Sequence, residues 1–364
     1  MLIKDAIAHM ETLAPLAYAE GFDNVGLLVG NKNTSLTGIL ITHDTLEDVV
    51  DEAIANKCNL IVSFHPIVFS GIKKFNGQDY VNRVVIKAIK NDIAIYATHT
   101  ALDNVQYGVN STICNQLNLI NRNILIPKKE FIHKLTTYVP IKDAQHLRTA
   151  LFNSGAGSIG NYDNCSFNIS GEGTFKGNNE SNPYIGQKGK LHTEKEIQIN
   201  ITFEKHLESK ILQTLFANHP YEEVAYEITK LTNSYQKIGL GMTGELESPM
   251  NEQEFLKFLK EKMNTECIRH SKLLGKSIKK IAVLGGSGAS AIAQAKNSKA
   301  DVYITSDLKY HDFYQAESSI LLCDIGHYES EQYTKSLLYE FLSKKLPNFA
   351  IVLSGINTNP VNYF

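Results

Sequence analysis

Paired cysteines, a strong charge of either sign and long apolar runs are all missing from this sequence. Its five cysteines (Cys58, Cys114, Cys165, Cys267 and Cys323) are odd in number, scattered and without a CxxC pair. That spacing excludes a cysteine zinc cluster and suits a reducing compartment. A formal charge of -2 over 364 residues is not the basic excess with which a duplex-coating protein meets phosphates, so nucleic acid is not an expected partner. No stretch approaches about 18 consecutive apolar residues, which argues against a membrane span. The opening MLIKDAIAHMETLAPLAYAEGFDN has acids and a proline where a signal peptide needs an unbroken apolar core. The expected location is therefore cytoplasmic.

What is present is an alternation of short apolar runs with amphipathic segments. In the first 126 residues GILI, NLIVSF and DIAIYAT read as strands, separated by the helix-like TLEDVVDEAIANK and YVNRVVIKAIKN. In the last 120 or so, KKIAVLGG, ADVYITS and ILLCDI are strands, with SGASAIAQAKN, KYHDFYQAE and ESEQYTKSLLYEFLSKKL as helices between and after them. The β-α-β order predicts a mostly parallel sheet covered by helices. The middle is different. From about residue 128 it carries Gly- and Asn-rich gaps and the alternating LHTEKEIQINITFE, as in an antiparallel sheet with one wet face. The expected fold class is a discontinuous α/β domain, 1–127 and 238–364, with an α+β domain inserted at 128–237.

Side chains just past the carboxyl ends of parallel strands gather where ligands bind. After GILI come Thr42, His43 and Asp44. His65 follows NLIVSF, and Thr98, His99, Thr100 and Asp103 follow DIAIYA. Ser306 and Asp307 follow ADVYIT, while His327 and Glu331 follow ILLCD at a spacing that sets them on one helical face. Taken alone, His327 and Glu331 are either a surface pair or half of a metal clasp. Four of the chain's twelve histidines end predicted strands, with carboxylates beside three of them. Packing does not demand that pattern. Nitrogen and oxygen donors without thiolate suit Zn, Mn, Fe or Ni, in a catalytic rather than a closed structural site. Two other clusters have plain structural readings. VLGGSGAS (283–290) is a tight strand-to-helix turn or an anion cradle, and His219 with Glu222 and Glu223 is a metal cluster or a helix-to-strand junction.

Seven stretches make the chain resemble the Nif-three-like family, whose members are labelled GTP cyclohydrolase I type 2 homologues. They are FDNVGLLVG (22–30), SFHPIVFSGIKKF (63–75), YATHTALDNVQYGVN (96–110), GLGMTGEL (239–246), KKIAVLGGSGAS (279–290), ADVYITSDLKYHD (300–312) and CDIGHYESEQ (323–332). The middle, with HPYEEVAYEI, looks like the PII- or CutA-like insert of the longer bacterial members. The resemblance implies a dinuclear divalent-metal centre, most readily zinc, with His65, Asp103, His327 and Glu331 as ligands, inside a toroidal homohexamer built from dimers. It also implies hydrolysis by metal-activated water, at a nucleotide, a phosphoester or a ring C–N bond, with His99 or Asp307 moving the proton. The rival expectation is a non-catalytic metal-binding sensor or scaffold that works through the insert. The sequence departs from the family at Phe64, where the first of two histidines is usual, so one ligand is absent. His43, at the end of the neighbouring strand, could compensate. A smaller departure is Ser306, where glycine is common.

Overall fold

A computed structural model describes residues 1–364, the side chain of residue 236 excepted. The chain forms two compact units, Met1–Pro127 with Gln236–Phe364, and Lys128–Tyr235. The discontinuous unit opens with α1 (Ile3–Leu13) and β1 (Gly26–Val29) and then alternates: β2 (Ile39–Thr42), α2 (Glu47–Ala55), β3 (Leu60–Ser63), α3 (Tyr80–Lys90), β4 (Ala94–Ala97), α4 (His99–Asp103) and α5 (Val109–Gln116). Strands β2, β3 and β4 are four residues each and buried throughout, as strands covered on both faces must be. The helix α3 starts cleanly because Asp79 accepts a 2.8 Å hydrogen bond from the Asn82 N–H, and Lys87 and Lys90 sit in its last turn, where the helix dipole favours cations.

β5 (Ile120–Lys129) leads into the second unit, which runs β6 (Ile132–Pro140), α6 (Ala144–Asn153), β7 (Phe167–Phe175), β8 (His192–Glu204), α7 (Glu208–Asn218) and β9 (Tyr226–Leu231). Its four strands form one antiparallel sheet in the order β7-β8-β6-β9. Leu135, Val139, Ile199, Ile201 and Phe203 from one face pack on Leu147, Leu151, Ile211 and Leu215 from the two helices. The alternation along β8 is thus a wet-face signal, as expected.

The chain then continues through β10 (Ser234–Asn251), α8 (Glu252–Lys262), β11 (Arg269–His270), β12 (Ser277–Ser287), α9 (Ile292–Asn297), β13 (Val302–Ser306), β14 (Leu321–Asp324), α10 (His327–Glu331), α11 (Thr334–Lys345) and β15 (Ile351–Leu353). The discontinuous unit therefore has two sheets, not the single mostly parallel one expected. The first is β1-β4-β3-β2-β15 and the second β11-β14-β13-β12-β10-β5. Each has a parallel centre flanked by antiparallel neighbours, β1 on β4 in the first and both β11 on β14 and β10 on β12 in the second. A mixed α/β fold results. The physical reason is that local apolar runs reveal strands but not which sheet recruits them. β15, for example, pairs with β2 across more than 300 residues of chain. The segment KYHDFYQAE is a 3₁₀ helix over Tyr310–Ala316 instead of an α-helix. No helix among the described residues is long and apolar enough to cross a membrane.

Candidate metal centre

The carboxyl ends of both parallel centres supply the site. His43 and Asp44 follow β2, and His65 follows β3. His99 begins α4 and Asp103 ends it. Asp307 follows β13, and His327 and Glu331 bracket the single short helix α10. Two sets of donor atoms lie within 4.8 Å of one another: His43, Asp44 and His65; and His65, His327 and Glu331. Asp103 belongs to neither set, although its carboxyl is buried beside them.

Three imidazoles aim at one oxygen. The Nε2 atoms of His327, His65 and His43 stand 3.2, 3.3 and 3.6 Å from Glu331 Oε2. The opposite nitrogens of two of these rings are already committed. His65 Nδ1 donates to Asp44 Oδ1 at 2.7 Å, and His327 Nδ1 donates to Asp307 Oδ2 at 2.6 Å. A carboxylate can only accept, so each of those nitrogens carries a proton, and Nε2 faces Glu331 either with a second proton, in the charged ring, or with a lone pair, in the neutral one. Lone pairs facing an anion repel unless a positive charge lies between them. Donors at about 2.0–2.1 Å around a tetrahedral zinc are separated by roughly 3.3 Å, so these spacings match a coordination edge. The buried polar atoms without a hydrogen-bond partner include four at the site: both ring nitrogens of His43, Asp103 Oδ1 and Glu331 Oε2. Such groups are rarely left unsatisfied without a reason, and a cation would satisfy these.

Electrostatics agree. Burial pushes the Asp103 carboxyl well up, and the neighbouring Glu331 pushes it further. Burial opposes charge on Glu331 as well, but His327 and His65 outweigh it and hold that carboxyl below its usual range. Burial likewise opposes charging of His65 and His327. Asp44 and Glu331 nonetheless hold His65 up at about 9, and Asp307 and Glu331 hold His327 up at about 11. His43 has no hydrogen-bonding carboxylate, and burial followed by repulsion from His65 brings it down to about 4. In the metal-free protein, then, protons on His65 and His327 stand in for a cation. Cation uptake below about pH 9 should expel them, and affinity should rise with pH over that range. Titration calorimetry in buffers of different ionisation enthalpy counts the released protons; an uptake that moves no protons would contradict this arrangement.

Three of the rings, those of His65, His327 and His99, are each steered by a carboxylate. Besides the Asp44 and Asp307 pairs, His99 Nδ1 donates to Asp23 Oδ1 at 2.7 Å, and Thr100 ties down the other Asp23 oxygen through both its N–H and its hydroxyl. Asp44 is itself fixed by a 2.7 Å hydrogen bond from the Thr358 hydroxyl. Carboxylate–histidine pairs of this kind set tautomer and ring direction, and losing one typically costs about 10–100-fold in metal affinity. Asp307→Asn should show that loss with the fold intact, as read by competition with a chromophoric chelator.

Sequence reasoning set Asp44 at the strand-end edge but not as an orienting partner, and gave Asp23 and Thr358 no role. Asp23 does sit in the FDNVG stretch, which was the available signal; the Thr358 contact with Asp44 spans 314 residues and has no local signal. Asp324, at the centre of the CDIGH stretch, is a structural anchor. It accepts from the Arg269 guanidinium, from the Leu308 N–H at 2.9 Å and from the Gly326 N–H at 3.1 Å. The glycine-rich turn is a packing device. The N–H of Gly285 goes to Asn110 Oδ1 and that of Gly286 to Ser330 Oγ, which leaves neither for an anion. His219 is also structural, with Nε2 donating to the Tyr138 carbonyl at 2.9 Å and Nδ1 accepting from the Tyr221 N–H.

The centre opens into a cleft of about 370 Å³, lined by His43, Asp44, His65, Arg269, Asp307 and His327 among others. That is the scale of a small-molecule site. A larger cavity, about 820 Å³, lies wholly in the inserted unit, between Tyr138, Phe175, Tyr184, Glu196 and Tyr221. Among the described residues, neither group of donors close enough to share an ion lies in it.

The sequence profile of Duf34/NIF3 (NGG1p interacting factor 3) matches residues 1–360. A Bacillus subtilis protein named GTP cyclohydrolase 1 type 2 homolog is 35% identical over 98% of this chain and 97% of its own length. A Staphylococcus epidermidis protein of the same name is 33% identical over the whole of both chains. Among solved structures, a Bacillus cereus protein related to NIF3 superposes with a TM-score of 0.87 at 34% identity, covering 100% of this chain and 99% of that one. Staphylococcus aureus protein SA1388 does so with a TM-score of 0.80 at 29% identity, with the same coverage.

Proposed function

The chain belongs to the Duf34/NIF3 family, and from that premise we propose that it is a metal-dependent hydrolase-like protein with a dinuclear divalent-metal centre. The observation that carries this reading is the convergence of three imidazole nitrogens on Glu331 Oε2, two of them with their opposite nitrogens already donating. His65, Asp103, His327 and Glu331 would hold the ions, zinc being the first candidate and Mn, Fe or Ni the others. Bound there, such ions polarise a scissile bond and lower the pKa of water toward neutrality.

The protein's own groups supply the rest. Asp44 and Asp307 aim His65 and His327 and are thereby positioning residues. Asp307 is occupied by His327, which leaves His99 as the group to move a proton: its Nδ1 proton is held by Asp23, so Nε2 is the basic atom. The His99 ring lies 5.3 Å from that of His65, beside the donor cluster. Arg269 is the one lysine or arginine among the described residues lining the cleft, its guanidinium paired with Asp324, and Asp44, Asp307 and Glu329 line it as well; an anionic substrate such as a nucleotide or another phosphoester would therefore be held by the charge of the ions. The relatives' name suggests a ring C–N bond as a further target. His99→Ala should lower turnover by about 10²–10⁴-fold while metal content stays unchanged. Metal-loaded protein assayed on a nucleotide and phosphoester panel tests the reading, and turnover that survives both His327→Ala and Asp103→Ala would refute it.

The cavity in the inserted unit supports a second reading, a metal-binding sensor or scaffold whose PII- or CutA-like domain takes a small effector. No turnover on the panel, together with saturable effector binding at that cavity, would favour it. In either case the proposed assembly is a toroidal homohexamer, a trimer of dimers, for which light scattering should give six chains.

A further inference from the structure

We propose that His43 is itself a metal ligand and provides, from β2, the imidazole that position 64 of this chain does not. The inference rests on the metal-centre reading above and adds a donor to it.

The register of the first sheet explains how. β2 and β3 are parallel neighbours, with Ile39 opposite Leu60, Ile41 opposite Val62 and Thr42 opposite Ser63. One step further, His43 lies beside Phe64, just past the ends of both strands. Side chains alternate along a strand, so Ile39, Ile41 and His43 share a face, as do Leu60, Val62 and Phe64. The two rings accordingly stack, with centroids 5.4 Å apart and planes 24° from parallel. The Phe64 ring is fully buried and has no donor atom, yet it stands among imidazoles, with centroids 4.9 Å from His65 and 5.8 Å from His99. A nitrogen donor is thus displaced by one strand, from β3 to β2, within the same layer of side chains.

His43 behaves as a ligand awaiting a cation and not as a core histidine. Its side chain is 2% exposed, and neither ring nitrogen has a hydrogen-bond partner. Buried histidines elsewhere in this chain differ. His133 gives Nδ1 to Glu208, and His219 uses both nitrogens. An imidazole with two unsatisfied nitrogens at this depth carries the full cost of lost hydration. Its Nε2 points at Glu331 Oε2, and a donor atom of the ring lies within 4.8 Å of donors from both Asp44 and His65. Stacking on Phe64 and edge contact with Tyr328 explain why a ring is there, but not why that ring has nitrogens.

The test separates ring packing from donation. His43→Phe keeps an aromatic ring, and the pair His43→Phe with Phe64→His returns the nitrogen one strand over. Metal content by mass spectrometry and competition titration with Zn²⁺ are the readouts, with the thermal transition of the metal-free proteins as the control for folding. H43F should lose one ion per chain, or weaken the second ion at least tenfold, and the double variant should regain it. Crystals of zinc-loaded wild type provide a measurement that needs no variant: an anomalous peak should lie about 2.0–2.1 Å from a His43 ring nitrogen. Ions bound with unchanged stoichiometry and affinity in H43F, or peaks that leave His43 uncoordinated, overturn the proposal and leave the metal centre standing. A wild type that binds no zinc overturns the centre itself, and this proposal with it.

Discussion

Glu331→Ala should abolish tight metal binding, with a loss of at least a hundredfold in affinity. Glu331 is the convergence point of the site: its Oε2 lies within 3.6 Å of three imidazole nitrogens, and the side chain is 4% exposed. Removing a ligating carboxylate should exceed the roughly 10–100-fold typical of losing an outer hydrogen-bond partner. The charge balance changes too. Glu331 is one of the groups that keep His65 and His327 protonated in the metal-free protein, so without it their pKa values should fall toward the ordinary imidazole range. Glu331→Gln retains the volume and should behave similarly, which distinguishes lost charge from a cavity. Competition titration, with NMR or calorimetric pKa measurement on the metal-free forms, checks both parts. An E331A protein that still holds metal at wild-type affinity would contradict them.

Gly286→Ala should have a comparable effect from a residue that donates nothing to the metal. Gly286 sits at φ +68°, and an added Cβ would fall well inside 3.0 Å of Glu331 Oε1. Left-handed backbone alone costs an ordinary residue about 1–2 kcal/mol. The backbone cannot easily retreat, because its N–H donates to Ser330 Oγ at 2.9 Å and its carbonyl accepts from the Thr305 hydroxyl at 3.1 Å. The Glu331 carboxylate must therefore move, and the coordination edge it shares with His327 and His65 moves with it. The expected result is a folded protein with a modestly lower melting temperature and a disproportionate loss of metal. A variant that melts lower yet binds metal normally would show that the clash is relieved elsewhere.

Much of this site was legible in the sequence, for one physical reason. Parallel strands buried on both faces read as short apolar runs, and the residues after each run must emerge at the carboxyl edge. That logic places His65, His327 and Glu331 together, and the donor set within 4.8 Å contains all three. It cannot tell that the runs belong to two sheets, since β3 and β14 look alike as text. It also sets Asp103 at that edge, and the structure buries this carboxyl at the end of α4, outside both donor sets. The pairings that orient the rings were illegible for a related reason. Asp44 meets His65 across two neighbouring strand ends, Asp23 meets His99 over 76 residues, and Thr358 returns to Asp44 from the far end of the chain. Pairings like these depend on register and on tertiary closure, which local patterns do not encode. The lateral relation of His43 to Phe64 is of the same kind.

The most direct test of a two-ion centre is elemental analysis of the protein as purified, without added metal or chelator, alongside Glu331→Ala prepared identically. The expected result is close to two divalent transition-metal ions per chain in the wild type and almost none in the variant. Wild-type protein that contains no stoichiometric metal, and takes up none when offered Zn²⁺ or Mn²⁺, would contradict it.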